Sequence, residues 1–249
     1  MPLLLTTSWD DGHPLDLRVA ELLARHGLPG TFFCPQHNGE GRSVLTGAQL
    51  RQLALAGFEI GSHTHDHVYA DRVPAPLWQA QVQRGKAALE DQLGQAVAGF
   101  CYPGGVFGTV ERTIVRQAGF DYARSTVNLC GDAGRDRFAL PTTLQLYPHA
   151  PSVLWRNLLR HGRWRARWPQ LRACLPHRAT PDRVTALLEQ LLQHGGVLHL
   201  WGHAWEIEQL GAWVELDRLF ALLAARVPAA DRLNTAALVR RLHPSGGPA

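Results

Sequence analysis

Two adjacent carboxylates, Asp10 and Asp11, follow the first apolar run of the chain and precede a glycine. Like charges this close repel each other, so one carboxylate must bind a cation or take up a proton. An aspartate before a glycine is also a common helix N-cap, and a helical pattern begins a few residues later. The pair alone therefore allows two interpretations, a cation site or a helix cap.

Histidines further along the chain favour the cation site. His63 and His67 have the i, i+4 spacing that brings two imidazoles onto one cation from a helical turn, whereas in an extended segment His63, His65 and His67 would share a face. Together with Asp11, the pair would form a site of two histidines and one carboxylate with open positions for water. Such a set suits catalytic zinc and also the iron of non-haem oxygenases.

Two more side chains could move protons at such a metal. Asp10 would be free to act as general base on a metal-bound water. His203 follows a later predicted strand and could protonate a leaving group as general acid. His199, four residues earlier in that strand, is favoured as a buried structural histidine.

Strands and helices alternate along the chain, which predicts parallel βα units. The predicted strands are 3–7, 30–35, 58–62, 97–101, 120–125 and 197–201, with an extended segment at 138–146. The predicted helices are 15–25, 46–56, 76–93, 110–117, 151–159, 180–194, 216–226 and 235–242, and 128–136 and 160–177 are expected to be irregular. In βα folds the chemistry lies at the carboxyl ends of strands. Every candidate residue above except His199 follows a predicted strand end, so they should converge on one face.

Length and composition indicate an ordinary globular protein. The 249 residues are 45% hydrophobic and 18% charged, as in an ordinary globular protein, and a chain of this length can bury one large core. We therefore expect a single domain over 1–243, followed by a disordered terminal tail at 244–249. The net charge of +4 is mild, so no nucleic-acid partner is expected. Four scattered cysteines, no signal peptide and no apolar run long enough to span a membrane predict a cytoplasmic location.

Four motifs resemble those of the polysaccharide deacetylases, carbohydrate esterase family 4. Ser8-Trp9-Asp10-Asp11-Gly12 resembles the family's Thr-Phe-Asp-Asp-Gly motif, and His63-Thr64-His65-Asp66-His67 resembles its His-Ser/Thr-x-x-His metal motif. Phe100-Cys101-Tyr102-Pro103-Gly104-Gly105 is similar to the third motif, and His203 matches the histidine of the last. The resemblance extends from about residue 3 to residue 227.

The resemblance implies a distorted (β/α)7 barrel that removes an acetyl group from an N-acetylated sugar. It implies a divalent metal, most often zinc (Zn²⁺), on Asp11, His63 and His67, with Asp10 as base and His203 as acid. It also implies a carbohydrate substrate. Residues expected to contact that substrate are Tyr102, Pro103, Gly104, Arg124, Trp201 and Trp205.

The chain departs from the family pattern at three points. Cys101 stands where the third motif usually has an arginine that braces the base aspartate, and Arg124 at the end of the next strand is the nearest replacement. Gly104 stands in place of an aromatic residue, which predicts a more open cleft. The aspartate that pairs with the acid histidine in many members has no clear match, and Asp132 and Asp136 are the candidates.

Residues 155–178 contain three tryptophans among seven arginines. They could bind a sugar, a nucleotide diphosphate or a lipid phosphate, or lie on a membrane surface, but a surface insertion or subunit contact is favoured. The stretch 203–207 resembles a His-x-Trp-Glu-Ile segment of bacterial glycan-cluster members, which favours a biosynthetic sugar. The alternatives to a deacetylase are a non-catalytic carbohydrate- or lipid-phosphate-binding protein and an iron oxygenase, whose usual jelly-roll strands this βα pattern lacks.

Overall fold

A computed structural model describes residues 1–243, so the expected disordered tail at 244–249 lies outside the described residues. The described part contains seven strands: β1 Leu3–Asp10, β2 Thr31–Cys34, β3 Glu59–Ser62, β4 Gly99–Cys101, β5 Tyr122–Arg124, β6 Leu144–Gln145 and β7 Gly196–Gly202. They form one parallel sheet in the order β5-β4-β3-β2-β1-β7-β6. The curled sheet with its surrounding helices is the distorted (β/α)7 barrel that the family resemblance implies.

Ten α-helices accompany the strands in the described residues: α1 Asp16–Arg25, α2 Gly47–Leu55, α3 Ala75–Leu93, α4 Thr109–Gln117, α5 Pro151–Arg160, α6 Trp164–Cys174, α7 Thr180–His194, α8 Ala204–Gln209, α9 Trp213–Arg226 and α10 Thr235–Leu242. Eight of these were predicted within a few residues of their observed bounds. Thr46 caps α2 with a complete capping box to Gln49, as its position before the helix indicates. The two helices that the pattern did not predict are α6 and α8.

The expectation of irregular structure over 160–177 is wrong, because α6 occupies most of that range. Pro169 lies inside α6 and costs the helix one hydrogen bond, to the carbonyl of the exposed Arg165 near its first turn. Burial of Leu171 and Cys174 on the inner face offsets that loss. Tertiary packing thus overrides the helix-breaking tendency of the proline.

Apolar side chains on β1 alternate between two cores, and all eight residues of this central strand are buried. Leu5 and Trp9 pack toward the surrounding helices, whereas Leu4 packs in the barrel interior with Phe33 and Tyr122. Helix α10 also contributes to the interior cluster and closes the amino-terminal end of the barrel. The carboxyl ends of the strands are therefore the open end.

The segment before β6 joins the two edges of the sheet. The amide of Leu140 donates to the carbonyl of Ala123 at 2.9 Å, and the amide of Ser125 donates back to Leu140 at 2.8 Å. A few residues later, the amide of Leu146 donates to the carbonyl of Trp201 at 2.7 Å. The expected extended segment at 138–146 is therefore mostly a closing connection, with regular strand pairing confined to β6.

The α5 and α6 helices form a hairpin that is fastened to the barrel by one buried arginine. Arg167 is 1% exposed and donates to the carbonyl of Asn128 at 2.6 Å and to carbonyls of the hairpin itself. Trp155, Trp164 and Trp168 remain partly exposed on this hairpin. The Arg- and Trp-rich stretch is thus an ordered insertion that packs on the barrel.

None of the helices within 1–243 is long and apolar enough to cross a membrane. The four cysteines, which all lie in the described range, are buried and unpaired.

Candidate active site

The carboxyl ends of the strands border a cleft of about 450 Å³. β1 brings Asp10 and Asp11 to this cleft, β3 leads into His63 and His67, and β7 leads into His203. The structure thus brings these five residues together, as their positions after predicted strands indicate.

A tight turn directs the Asp11 carboxylate into the cleft. Asp11 has a φ of 75° and Gly12 a φ of 58°, so two successive residues adopt the left-handed region directly after β1. A side chain at Gly12 would meet Cβ of Cys34 at 3.0 Å. Glycine is therefore required there both for its backbone conformation and for the close approach of β2.

Asp11, His63 and His67 form a buried cluster with the geometry of a metal site. Oδ1 of Asp11 lies 3.1 Å from Nε2 of His67 and 3.8 Å from Nε2 of His63. Neighbouring ligands of a tetrahedral zinc ion stand roughly 3.3 Å apart when each bond is about 2.0–2.1 Å long. The three donor atoms, two imidazole nitrogens and one carboxylate oxygen, therefore fit a divalent metal such as zinc.

Neighbouring groups orient these donor atoms. Nδ1–H of His63 donates to the carbonyl of Cys101 at 2.8 Å, which leaves Nε2 as the free lone pair. Nε1–H of Trp205 donates to Oδ2 of Asp11 at 2.9 Å, which leaves Oδ1 for the cation. Such contacts behind the ligands are typical of metal sites.

Protonation in this cluster also suits cation binding. Burial lowers the pKa of His63 to about 4, so its ring is neutral near pH 7. Burial alone would raise the pKa of Asp11, but the hydrogen bond with His67 and the positive charge of His203 lower it well below its usual range. A neutral imidazole and an ionised carboxylate are the forms that ligate metals.

His65 does not join the cluster, which decides between the two arrangements that the sequence allows. Its Nδ1 lies 2.6 Å from Oδ1 of Asp66, and the Asp66 carboxylate also accepts from Nε2 of Gln81 at 2.7 Å. The segment is therefore a turn that points His63 and His67 into the cleft and His65 away from them.

Arg124 contacts Asp10 in place of the missing arginine of the third motif. The Cα atoms of Cys101 and Arg124 are register partners on β4 and β5, and Nη2 of Arg124 donates to Oδ1 of Asp10. The guanidinium is fully buried and lies 4.9 Å from the ring centroid of Trp201. An arginine moved to the neighbouring strand thus reaches the same carboxylate.

His203 has a carboxylate partner that sequence reasoning missed. Nδ1 of His203 lies 2.7 Å from Oε2 of Glu206, and Glu206 also accepts from Nε2 of Gln145 at 3.1 Å. The sequence-based candidates pair elsewhere, Asp132 with Arg163 and Asp136 with Arg112. The i, i+3 spacing of His203 and Glu206 at the start of α8 was the signal that could have identified the partner.

The pKa of His203 reflects its two acidic neighbours. Burial lowers this pKa, but the hydrogen bond to Glu206 and the negative charge of Asp11 outweigh burial, so the pKa lies above its usual value. The imidazolium form, which a general acid requires, is favoured as a result.

His199 is a structural residue, as expected. It is 2% exposed, and its Nε2 lies 2.9 Å from Oγ of Ser8 on the neighbouring strand. Burial, reinforced by the positive charge of Arg124, lowers the pKa of His199 to about 3. The side chain is therefore a neutral hydrogen-bonding group within the sheet.

Tyr69 occupies the space that Gly104 leaves. A side chain at Gly104 would meet Cε1 of Tyr69 at 2.2 Å, and the Tyr69 ring packs edge-on against His67 with 5.4 Å between the ring centroids. The hydroxyl of Tyr69 donates to Oε1 of Glu40 at 2.9 Å. The expectation of a more open cleft therefore needs correction, because an aromatic ring from another segment fills this position.

The residues expected to contact substrate fall into two groups. Gly104, Trp201 and Trp205 line the cleft. The side chain of Tyr102 does not reach it, because that ring is fully buried and its hydroxyl donates to the carbonyl of Phe138 at 2.9 Å. Pro103 and Arg124 are also buried, outside the cleft lining.

Comparisons with known proteins agree with this architecture. Residues 4–123 match the family model described as Polysaccharide deacetylase. No curated protein sequence matches the chain. The matched range contains the first three motifs, and His203 lies beyond it.

Solved structures show the same fold at low sequence identity. A protein from Mycobacterium smegmatis assigned as a polysaccharide deacetylase is 17% identical with a TM-score of 0.61, over 90% of this chain and 84% of that one. A family 4 carbohydrate esterase from Streptomyces lividans in complex with acetate is 14% identical with a TM-score of 0.54, over 89% of each chain. The Xyl-CE4 domain of a multidomain xylanase from the hindgut metagenome of Trinervitermes trinervoides is 13% identical with a TM-score of 0.57, over 96% of this chain and 90% of that one.

Proposed function

We propose that this chain is a polysaccharide deacetylase-like hydrolase of amide carbon–nitrogen bonds other than peptide bonds, and that it removes an acetyl group from an N-acetylated sugar in a metal-dependent reaction. The match of residues 4–123 to the polysaccharide deacetylase family model supports this assignment. The observation that carries the proposal is the cluster of Asp11, His63 and His67. On one side of it lies Asp10, which is held by Arg124, and on the other lies His203, which is paired with Glu206. Base, ligands and acid all line one cleft.

Asp11, His63 and His67 would hold the metal, most often zinc in this superfamily. When bound, such a metal supplies Lewis acidity that lowers the pKa of a water molecule and polarises the acyl carbonyl. The indole of Trp205 and the carbonyl of Cys101 keep two of the three ligands in the orientation that this requires.

Asp10 would accept the proton of the attacking water. Its Oδ1 accepts from Arg124, whereas the one hydrogen-bond donor to its Oδ2 among residues 1–243 is the thiol of Cys101, at 3.7 Å. Because a thiol is a weak donor and this contact is long, Oδ2 keeps the capacity to accept a proton. Arg124 thus fixes the carboxylate without occupying both of its oxygens.

His203 would donate a proton to the departing nitrogen. Glu206 binds Nδ1 of His203 and thereby leaves Nε2 to face the substrate. Protonation of the nitrogen turns the sugar amine into a good leaving group, and the products are a carboxylate and a free amino group. Acetyl is the proposed acyl group, and the Streptomyces lividans esterase with bound acetate supports it.

The two alternative functions lose support in this structure. A binding protein without activity was suggested by the missing arginine, but Arg124 contacts Asp10 from the neighbouring strand. An iron oxygenase was suggested by the ligand types, but the parallel (β/α)7 sheet differs from the jelly roll usual for that class. We also propose that residues 1–243 form one catalytic domain, and a cytoplasmic location stays a prediction.

Acetate release from N-acetylated sugars tests the proposal. The purified protein should release acetate from at least one amino sugar, lose this activity on chelation and regain it with added zinc. Asp10→Asn should lower kcat by about 10²–10⁴-fold, the range for general acid–base groups. Release that survives both chelation and Asp10→Asn would contradict the proposal.

A further inference from the structure

One wall of the cleft is formed by a face of α5 that carries positive charge. Val153, Arg156, Asn157, Arg160 and His161 all line the cleft. Their i, i+3, i+4, i+7 and i+8 spacing places them on one side of the helix. The buried residues of α5 are Leu154 and Leu158, which anchor the helix on the rest of the protein.

In the part of the chain that the structure describes, Arg156 and Arg160 have no acidic partner that would neutralise their charge. Within residues 1–243 neither guanidinium forms an ion pair, whereas Arg42 across the cleft pairs with Glu40. The sequence explains this, because no Asp or Glu occurs between residues 137 and 181. The two arginines therefore present uncompensated charge to the cleft.

The charged face is connected to the acid histidine by a short chain of contacts. His203 contacts Glu206 at 2.7 Å, Glu206 accepts from Gln145 at 3.1 Å, and Oε1 of Gln145 lies 2.8 Å from Nε2 of His149. His149 lies two residues before α5 begins, and Arg183 holds its carbonyl at 2.7 Å. These contacts hold the start of α5 close to His203, the proposed proton donor to the leaving group.

We propose that Arg156 and Arg160 form a subsite for a phosphate or diphosphate group attached to the N-acetylated sugar. The two residues are one helical turn apart, about 6 Å along the axis, which suits two neighbouring phosphate groups. Guanidinium groups bind phosphate oxygens through paired N–H donors. This substrate class rests on the proposed deacetylation, and it excludes a purely neutral polymer as the preferred substrate.

The abundance of arginine in this chain does not account for the arrangement. Among the seven arginines in 155–178, only Arg156 and Arg160 line the cleft. Arg167 is buried against carbonyls, Arg163 pairs with Asp132, and Arg165 packs on Trp164. Four arginines of this stretch lack such roles. Arg156 and Arg160 line the cleft, whereas Arg172 and Arg178 are exposed and lie outside its lining.

Binding measurements test the subsite separately from catalysis. Calorimetric titration of the Asp10→Asn protein would compare a nucleoside-diphosphate N-acetylhexosamine, a polyprenyl-diphosphate N-acetylhexosamine in detergent micelles and a neutral chitin disaccharide. Titration with inorganic pyrophosphate after chelation removes any contribution from anion binding to the metal. Tight binding in the nucleotide arm or in the micelle arm identifies the source of the phosphate.

The double variant Arg156→Gln/Arg160→Gln should weaken binding of pyrophosphate and of the preferred diphosphate sugar by about 10²-fold, roughly tenfold for each charged contact. It should also lower the ratio of kcat/KM for that sugar to kcat/KM for the neutral disaccharide. The matched control Arg165→Gln/Arg172→Gln removes the same charge from the outer side of the hairpin and should leave the ratio unchanged.

Two outcomes would overturn the subsite. One is equal loss of affinity in the control variant, and the other is a neutral disaccharide that is bound and hydrolysed as well as any phosphate-bearing sugar. In the second case acetate release would still support the deacetylase, so the subsite would fail alone. A third outcome would separate the two proposals in the other direction. If no sugar released acetate but pyrophosphate binding still depended on both arginines, the proposed deacetylation would be contradicted and the anion site would be supported.

Discussion

His203 and Glu206 form a hydrogen-bonded pair of 2.7 Å across three residues at the start of α8. Both members come from one short segment, so β7 positions the acid and its partner together. Gln145 on the neighbouring strand β6 holds the carboxylate from the other side. In the proposed mechanism Glu206 would therefore be a positioning residue that acts on the substrate through His203.

Glu206→Gln should shift the alkaline limb of the activity profile to lower pH. The carboxylate helps raise the pKa of His203, and the protonated ring is the form that donates. Without that charge His203 loses its proton at a lower pH, so kcat above neutrality falls while kcat on the acidic side changes less. The measurement is kcat against pH, with the exposed Glu215→Gln as control. An alkaline limb at the same pH in both variants would show that Glu206 has no such role.

The sequence predicted that Asp11, His63 and His67 lie together, because their motifs follow strands and parallel strands end on one face. It did not predict Glu206, because α8 spans only six residues and because the family resemblance implied an aspartate as the partner of His203. Tyr69 was missed for another reason: the ring fills the space beside Gly104 from a distant segment. Contacts of this kind depend on tertiary packing, which local patterns do not encode.

Arg124→Ala should lower kcat by about 10²-fold and destabilise the fold. The change leaves the Asp10 carboxylate buried without its partner, which costs about 3–5 kcal/mol in comparable buried pairs. Activity assays and chemical denaturation measure the two effects. A variant with kcat within twofold of the parent would contradict the role of Arg124.

An arginine at position 101 on β4 should restore part of the activity that Arg124→Ala removes. Cys101 and Arg124 are register partners, and Sγ of Cys101 lies 3.7 Å from Oδ2 of Asp10, so Cys101→Arg/Arg124→Ala places a guanidinium within reach. Cys101→Lys/Arg124→Ala is the matched control, because an ammonium lacks the planar donor fork. Equal kcat values for the two double variants would show that charge alone, without guanidinium geometry, supports Asp10.

Gly85→Ala on α3 should weaken metal binding, although alanine favours helices by about 1 kcal/mol over glycine. A Cβ atom there would lie 2.7 Å from the carbonyl carbon of Thr64 and 2.9 Å from the amide nitrogen of His65, between the two proposed ligands His63 and His67. These are backbone atoms, so the ligand turn itself must move. Zinc affinity and the free energy of unfolding should both fall.

Gly47→Ala provides the control for that variant. Its added Cβ would lie at ordinary distances of 3.5 Å or more from its neighbours, at the start of α2. The control should keep the zinc affinity of the parent and gain slightly in stability. If Gly85→Ala behaves in the same way, α3 does not constrain the ligand turn.

The buried, neutral His199 should lower the free energy of unfolding of the metal-free protein as the pH falls below neutrality. Its folded-state pKa is about 3, below the value near 6.5 expected for an unfolded chain, so only the unfolded state takes up the proton between these values. The free energy of unfolding therefore falls as the pH drops below about 6.5, by about 1.4 kcal/mol per unit for this one group. Denaturation between pH 7 and pH 4 in the presence of chelator should give a shallower slope for His199→Gln than for the parent. The exposed His194→Gln controls for loss of a histidine, and an identical slope in all three proteins would mean that His199 is protonated inside the folded sheet.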